Sequence, residues 1–125
     1  YLLKVFSDYC KEAYMSNDID KVMELYKEVN ELCYQQIKKR NNSYISKVKQ
    51  MVPKIDGFAS FIFKRENIIV DDETYVMLTN ELSAILKDIV NAIQNEDEVL
   101  MLDSLLNGLK KMLELFLPEE GETTV

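Results

Sequence analysis

An all-α fold is predicted by three features of these 125 residues. Turn chemistry is scarce, with only three Gly and two Pro; the chain is rich in Leu, Glu, Lys, Met and Ala; and apolar side chains recur at helical spacing almost from end to end. The length suits one domain, and 47% hydrophobic with 30% charged residues is the balance of a water-soluble globule with a real core. The expected architecture is a helical bundle of about five helices over residues 1–118. An acidic, apolar-poor tail over 119–125 is expected to fray.

The first helix is expected to place Leu2, Phe6, Tyr9, Cys10 and Ala13 on one face. Ser16, Asn17 and Asp18 then suit a turn and an N-cap. A second helix carries Ile19, Val22, Leu25, Tyr26, Val29, Leu32, Cys33 and Ile37 until six polar residues, 38–43, suspend the stripe. The stripe resumes with Tyr44, Val48, Met51, Ile55, Phe58 and Ile62, where Pro53 must kink the helix or start its second part. Asp71 is expected to cap the next helix, with Val70 and Tyr75 at the two hydrophobic-staple positions. That helix presents Tyr75, Leu78, Leu82, Ile85, Leu86, Ile89, Val90 and Ile93. Asn95 and Glu98 have the spacing of a capping box before the last helix, whose stripe is Val99, Leu102, Leu105, Leu106, Leu109, Met112, Leu113 and Phe116.

Shifting the chain by 80 residues lays Phe6, Tyr9, Cys10 and Ala13 on Leu86, Ile89, Val90 and Ile93. Ile19 through Cys33 falls on Val99 through Leu113, apolar on apolar. The pattern predicts two similar αα-hairpins joined by a basic helical connection, although any two amphipathic pairs with similar turns align at some shift.

Charge is the sharpest feature. Residues 38–65 hold Lys38, Lys39, Arg40, Lys47, Lys49, Lys54, Lys64 and Arg65 against a single acid, Asp56. This span carries +7 within a chain of net charge −7, which leaves −14 on the remainder. Such a division either folds back on its own acidic body or meets an anionic partner. Nucleic acid is an unlikely partner, because the chain is acidic overall and holds no recognised binding motif. A membrane surface is unlikely too, since Phe58, Phe61 and Phe63 fall on or beside the core stripe.

No catalytic constellation is visible. The absence of histidine removes Cys/His nucleophiles, imidazole zinc ligands and the Glu-x-x-His spacing of di-iron bundles. Cys10 and Cys33 fall on Val90 and Leu113 in the repeat and read as small buried apolar residues. Antiparallel helices about Ser16 would hold them too far apart for a disulfide. Glu24, Glu28, Glu31, Glu81, Asp88 and Asp103 lie beside the stripes as solvated face residues. The Asn95–Glu98 turn lacks the spacing and glycine of an EF-hand loop, and Gly57, Gly108 and Gly121 are too isolated for a phosphate loop. The sequence therefore predicts neither enzyme nor cofactor nor metal. No apolar run nears the roughly 20 residues of a membrane span, so a cytoplasmic protein is the default. The chain opens at Tyr1 without Met, and its place within a longer protein stays open.

Two resemblances follow from particular segments. Ile89, Val90, Ala92, Ile93, Asn95, Glu96, Asp97, Val99, Leu100, Asp103, Leu105 and Leu106 resemble a signature of an uncharacterised all-helical family of Firmicutes proteins of unknown function. Tyr44, Ile45, Lys47, Pro53, Ile55, Gly57 and Phe61 are similar to the segment that precedes it there. The chain departs from that pattern at Phe61, where Trp is expected, and at Asn107-Gly108. The stretch from Leu3 to Arg40 resembles flagellar export chaperones, small bundles that hold an amphipathic segment of a client subunit. The first resemblance implies fold alone, the second a chaperone-like role, and neither carries over a functional residue.

The resulting expectation is a non-enzymatic interaction module, an adaptor or chaperone-like bundle, that binds an acidic or amphipathic protein segment. Lys38, Lys39, Arg40, Lys47, Lys49 and Lys54 would steer that partner, and Phe58 and Phe61 would anchor it wherever they are not core. Homo-oligomerisation through the opposite charges stays open. The rival expectation is a small-molecule or lipid-binding bundle with an internal apolar cavity of at least roughly 300 Å³.

Overall fold

The apolar stripes close onto one another as a ring of four helices in the computed structural model, which describes residues 16–39 and 43–117, with side chains from residue 20 onward. The helices are α1 (Ser16–Lys38), α2 (Tyr44–Phe63), α3 (Asp72–Asn95) and α4, which runs through Glu98–Asp103, a π-helical Ser104–Leu109 and Lys110–Glu114. Each helix packs on its neighbours in the chain, and α4 returns to α1. Side-chain pairs fix the directions as antiparallel. Cys33 meets Tyr44 while Lys54 reaches Glu24 and Glu28 between α1 and α2; Tyr75 donates to the Ile62 carbonyl between α3 and α2; Tyr26 donates to Glu114 between α1 and α4. Across the diagonal, Phe58 of α2 meets Phe116 edge to face, with ring centroids 5.5 Å apart.

The all-α class and the bundle are as the sequence predicts, and no strand occurs among the described residues. The helix expected before Ser16, its cysteine Cys10, Arg40 and the tail beyond residue 117 lie outside the described residues. Positions 25, 29, 32 and 33 are buried, as are their repeat mates 105, 109, 112 and 113. The basic span expected as a connection is a full wall of the ring: Tyr44, Val48, Met51, Ile55, Phe58 and Ile62 are all buried.

Local chemistry sets the helix limits. Asp71 caps α3 by accepting from the Thr74 backbone N–H at 2.9 Å, and Val70 and Tyr75 pack against the core on either side of it. Hydrogen bonding to Thr74, with Arg65 nearby, holds the Asp71 carboxyl below its ordinary range. The expected capping box is displaced. Asp97 caps α4 by accepting from Leu100 N–H, Glu96 takes the left-handed conformation that ends α3, and Asn95 donates to the Asn91 carbonyl instead. Pro53 lies on the exposed side of α2, which continues as helix through it.

The corner between α2 and α3 is held by one cation. Arg65 donates to the carbonyls of Ile68 (2.6 Å) and Val70 (2.7 Å) and to Asp72 Oδ1 (3.1 Å), and its guanidinium lies 4.6 Å from the centroid of the Tyr75 ring. Asn67 adds a bond to the Phe61 carbonyl.

The π-helical turn of α4 has a sequence cause. Met101, Leu105, Leu109 and Leu113 are fully buried and spaced by four. On a regular helix at about 100° per residue, three such steps would rotate the last side chain about 120° from the first. A turn closed by i→i+5 bonds absorbs one extra residue and returns the row to the core. The expected stripe is accordingly offset: Met101 is core, whereas Val99 is 81% exposed. Val90 and Ile37 are exposed too, Val90 on the outer face of α3 beside the buried Ile89 and Ala92. Gly108 lets α3 come close here, since a Cβ would stand 3.0 Å from Ile85 Cγ1.

Two outcomes follow. Gly108→Val should cost about 1–3 kcal/mol by overpacking against Ile85, read from urea unfolding. Asp71 supports the fold fully above the ordinary carboxyl value of 3.8 and loses that support as pH falls through its lowered folded value. Thermal melts should therefore show a smaller loss of Tm in acid for Asp71→Ala than for the parent chain.

Candidate functional site

Folding divides the basic residues into engaged and unengaged sets. Lys54 leaves α2 to bridge Glu28 Oε1 at 2.7 Å and Glu24 Oε1 at 3.2 Å on α1. The two hydrogen bonds, Glu28 first, raise its pKa above the ordinary lysine value. Glu28 Oε2 is enclosed without a donor of its own. Arg65 is consumed by the α2–α3 corner, and Lys64 meets Glu66 at 3.6 Å on the surface.

The remaining cations gather where α1 ends and α2 begins. Lys38 stands over the Tyr34 ring, 5.6 Å from its centroid, and Lys39 follows in the connection. Lys47 and Lys49 lie in the first turns of α2, Lys47 half-buried and Lys49 exposed. Among the described residues none of these four lysines has a carboxylate partner. Lys38 also sits in the last turn of α1, where the carbonyl ends of the helix favour a cation.

Along the α1–α2 seam the surface dips on both sides of the Lys54 bridge. Toward the lysine corner lies a shallow depression floored by Leu32 and Met51 and edged by Lys27 and Lys47. Toward the other end lies a cleft of about 340 Å³ whose walls include Val22, Leu25, Gly57 and Phe61. A Cβ on Gly57 would meet nothing within 4 Å, so the cleft is open there. Phe58 contributes to this wall but is buried against Phe116 and serves the core, whereas Phe61 is half-buried and reaches the cleft. Of the sequence-predicted residues, Lys47, Lys54, Phe58 and Phe61 line these two depressions, whereas Lys38, Lys39 and Lys49 stand outside them.

No family model, curated protein or solved structure matches this chain. Its chemistry is therefore read from the geometry alone. Among the described residues no three acidic or cysteine side chains converge as a metal site, and no helix is long and apolar enough to cross a membrane.

Sequence reasoning missed two features. Arg65, counted with the basic span, is a structural clamp, and only its position just before the Asp71 cap hints at that. An apolar cleft of about 230 Å³ also opens between α3 and α4. It is smaller than the roughly 300 Å³ at which small-molecule sites begin and is open to solvent. It went unread because its lining comes from two helices whose relative register depends on the π-helical turn.

Cys33 and Tyr44, both fully buried, face each other at 3.8 Å from Sγ to Oη. Burial pushes the Cys33 thiol up, against smaller lowering effects from the Tyr44 hydrogen bond and Lys110. Burial, then the thiol, pushes the Tyr44 hydroxyl up as well. Both stay neutral at physiological pH, and Cys33 behaves as core, as its repeat mate Leu113 does. Iodoacetamide should alkylate Cys33 in the native protein only as fast as the chain opens. Peptide mapping over time should show urea accelerating that modification steeply.

Proposed function

We propose that this chain is a non-enzymatic protein-interaction module, adaptor or chaperone-like, that takes an acidic amphipathic segment along the α1–α2 seam. The observation that carries the reading is the set of four lysines, Lys38, Lys39, Lys47 and Lys49, near the α1–α2 connection without carboxylate partners among the described residues, on a chain of net charge −7. A local cation excess on an otherwise acidic protein draws an anionic partner to one corner, because the rest of the surface repels it. The seam then offers apolar contact through Leu32 and Met51, and through Phe61 beyond Lys54. A segment lying along the whole seam would present its own carboxylates to Lys54 in place of Glu24 and Glu28. That exchange releases Glu24 and Glu28: Lys54 and Glu24 are already exposed, and the enclosed Glu28 Oε2 makes the loss of its lysine the costly part. The resemblance of residues 3–40 to flagellar export chaperones agrees with this reading.

The test is fluorescence anisotropy with a labelled amphipathic peptide of leucine and glutamate. Its affinity should fall as salt rises from about 50 mM to about 500 mM, where the screening length shortens roughly threefold. The combined change Lys38→Gln, Lys47→Gln and Lys49→Gln should weaken it roughly tenfold, equivalent to about 1.4 kcal/mol. Lys64→Gln, already committed to Glu66, should leave it unchanged. An affinity indifferent to both salt and the triple substitution would sink the proposal.

A further inference from the structure

The cleft between α3 and α4 lies on the part of the chain with the opposite charge. Residues 71–117 carry ten acidic and three basic side chains, a net −7. The floor of the cleft is apolar, formed by Leu78, Ile85, Met112 and Leu115, with Met77 at its edge 53% exposed. Glu81 and Lys111 stand at the rim with no ion-pair partner among the described residues, and Glu73 lies one turn before Met77. From Thr74 to Ile85 the α3 wall runs about 16 Å at the helical rise, enough for anchors at i, i+4 and i+7 of a docked helix. The volume of about 230 Å³ is too small for a drug-sized ligand and suits one or two bulky side chains. Two methionines at opposite walls give the cleft an adaptable lining. The π-helical turn also has a part in shaping it, because Asn107 and Gly108 form the α4 wall and Gly108 brings α3 close beneath.

We infer that this cleft is a second docking site, which receives a cationic amphipathic helix from a protein partner by seating one large apolar side chain between Met77 and Met112. The net −7 of the surrounding hairpin selects the occupant: a helix with lysines or arginines beside the α3 wall gains Glu73 and Glu81, a single carboxylate opposite them would meet Lys111, and a uniformly acidic helix is repelled. This site is independent of the α1–α2 seam, lies on other helices and has the opposite preference.

The test is an NMR titration of the full isotope-labelled chain with a synthetic leucine–lysine amphipathic peptide bearing one central phenylalanine. The methyl signals of Met77, Ile85, Met112 and Leu115 should shift together and saturate. Replacing the peptide's phenylalanine by alanine should weaken binding at least tenfold. Met77→Glu separates the explanations by sign: it adds negative charge, so attraction by charge alone predicts tighter binding, whereas seating in the cleft predicts weaker binding. Because Met77 is half exposed, its urea midpoint should stay near that of the parent. The leucine–glutamate peptide should leave the cleft methyls unmoved even if it binds the seam. Tighter binding by Met77→Glu, or shifts spread over the acidic surface without the cleft methyls, would overturn the inference. So would cleft shifts that depend on protein concentration without peptide, which assign the cleft to a second copy. Contacts from those methyls to residues 1–15 in the free chain would assign it to the chain itself, with the same result.

Discussion

Every other helix of this bundle leans on α4. Met101, Leu105, Leu109, Leu113 and Phe116 are its fully buried row, and α1, α3 and the Phe58 edge of α2 all pack against it. A row of large side chains spaced by four can serve three neighbours at once only if it stays on one side of its own helix. The π-helical turn at Ser104–Leu109 meets that geometric requirement. Its conformational cost is offset by apolar burial at about 25 cal/mol per Å² along the row. Gly108, within the turn, then allows α3 to approach to the distance at which Ile85 fills the gap.

How much of this was legible in the sequence depended on whether the signal was local. Asp71 and its staple partners could be read because a cap and its partners lie within a few residues of one another. The α2 stripe could be read because a regular helix keeps its period, and it survives Pro53 because the ring lies on the exposed face. Read with the period of an ordinary helix, the α4 stripe includes Val99 and leaves out Met101. The spacing of four was present in the sequence, but only the packed neighbours reveal that the helix widens to accommodate it. Capping by Asp97 was displaced from Asn95 for a related reason: Glu96 in the left-handed conformation shortens the turn and moves the helix start.

The basic span shows why a count of charges is not yet a binding surface. Of its described cations, Arg65 is spent on three oxygens at a corner, Lys64 on a neighbouring acid, and Lys54 on the seam between α1 and α2. Each engagement arises because folding brings a carbonyl or carboxylate within reach, which spacing along the chain does not encode. What remains is a corner of lysines at one end of the ring. An acidic hairpin with an apolar cleft closes the other side. The molecule is thus polarised across its bundle axis, so two partners of opposite charge would address different helices.

The wide turn in α4 also says something about chain length as distinct from chain chemistry. It holds one residue more than the turns on either side, and that residue is accommodated without a loop. Between residues 104 and 109, then, the ladder has slack that no other helix offers among the described residues. Removing a single residue there converts the π-helical turn to an α-helical one and leaves the helices on both sides intact, with their buried faces still aligned, because eleven residues of regular helix return to within about 20° of the starting direction. In a lineage of such chains this is the point where the loss of one codon can be absorbed without turning either half of the core helix away from its neighbours.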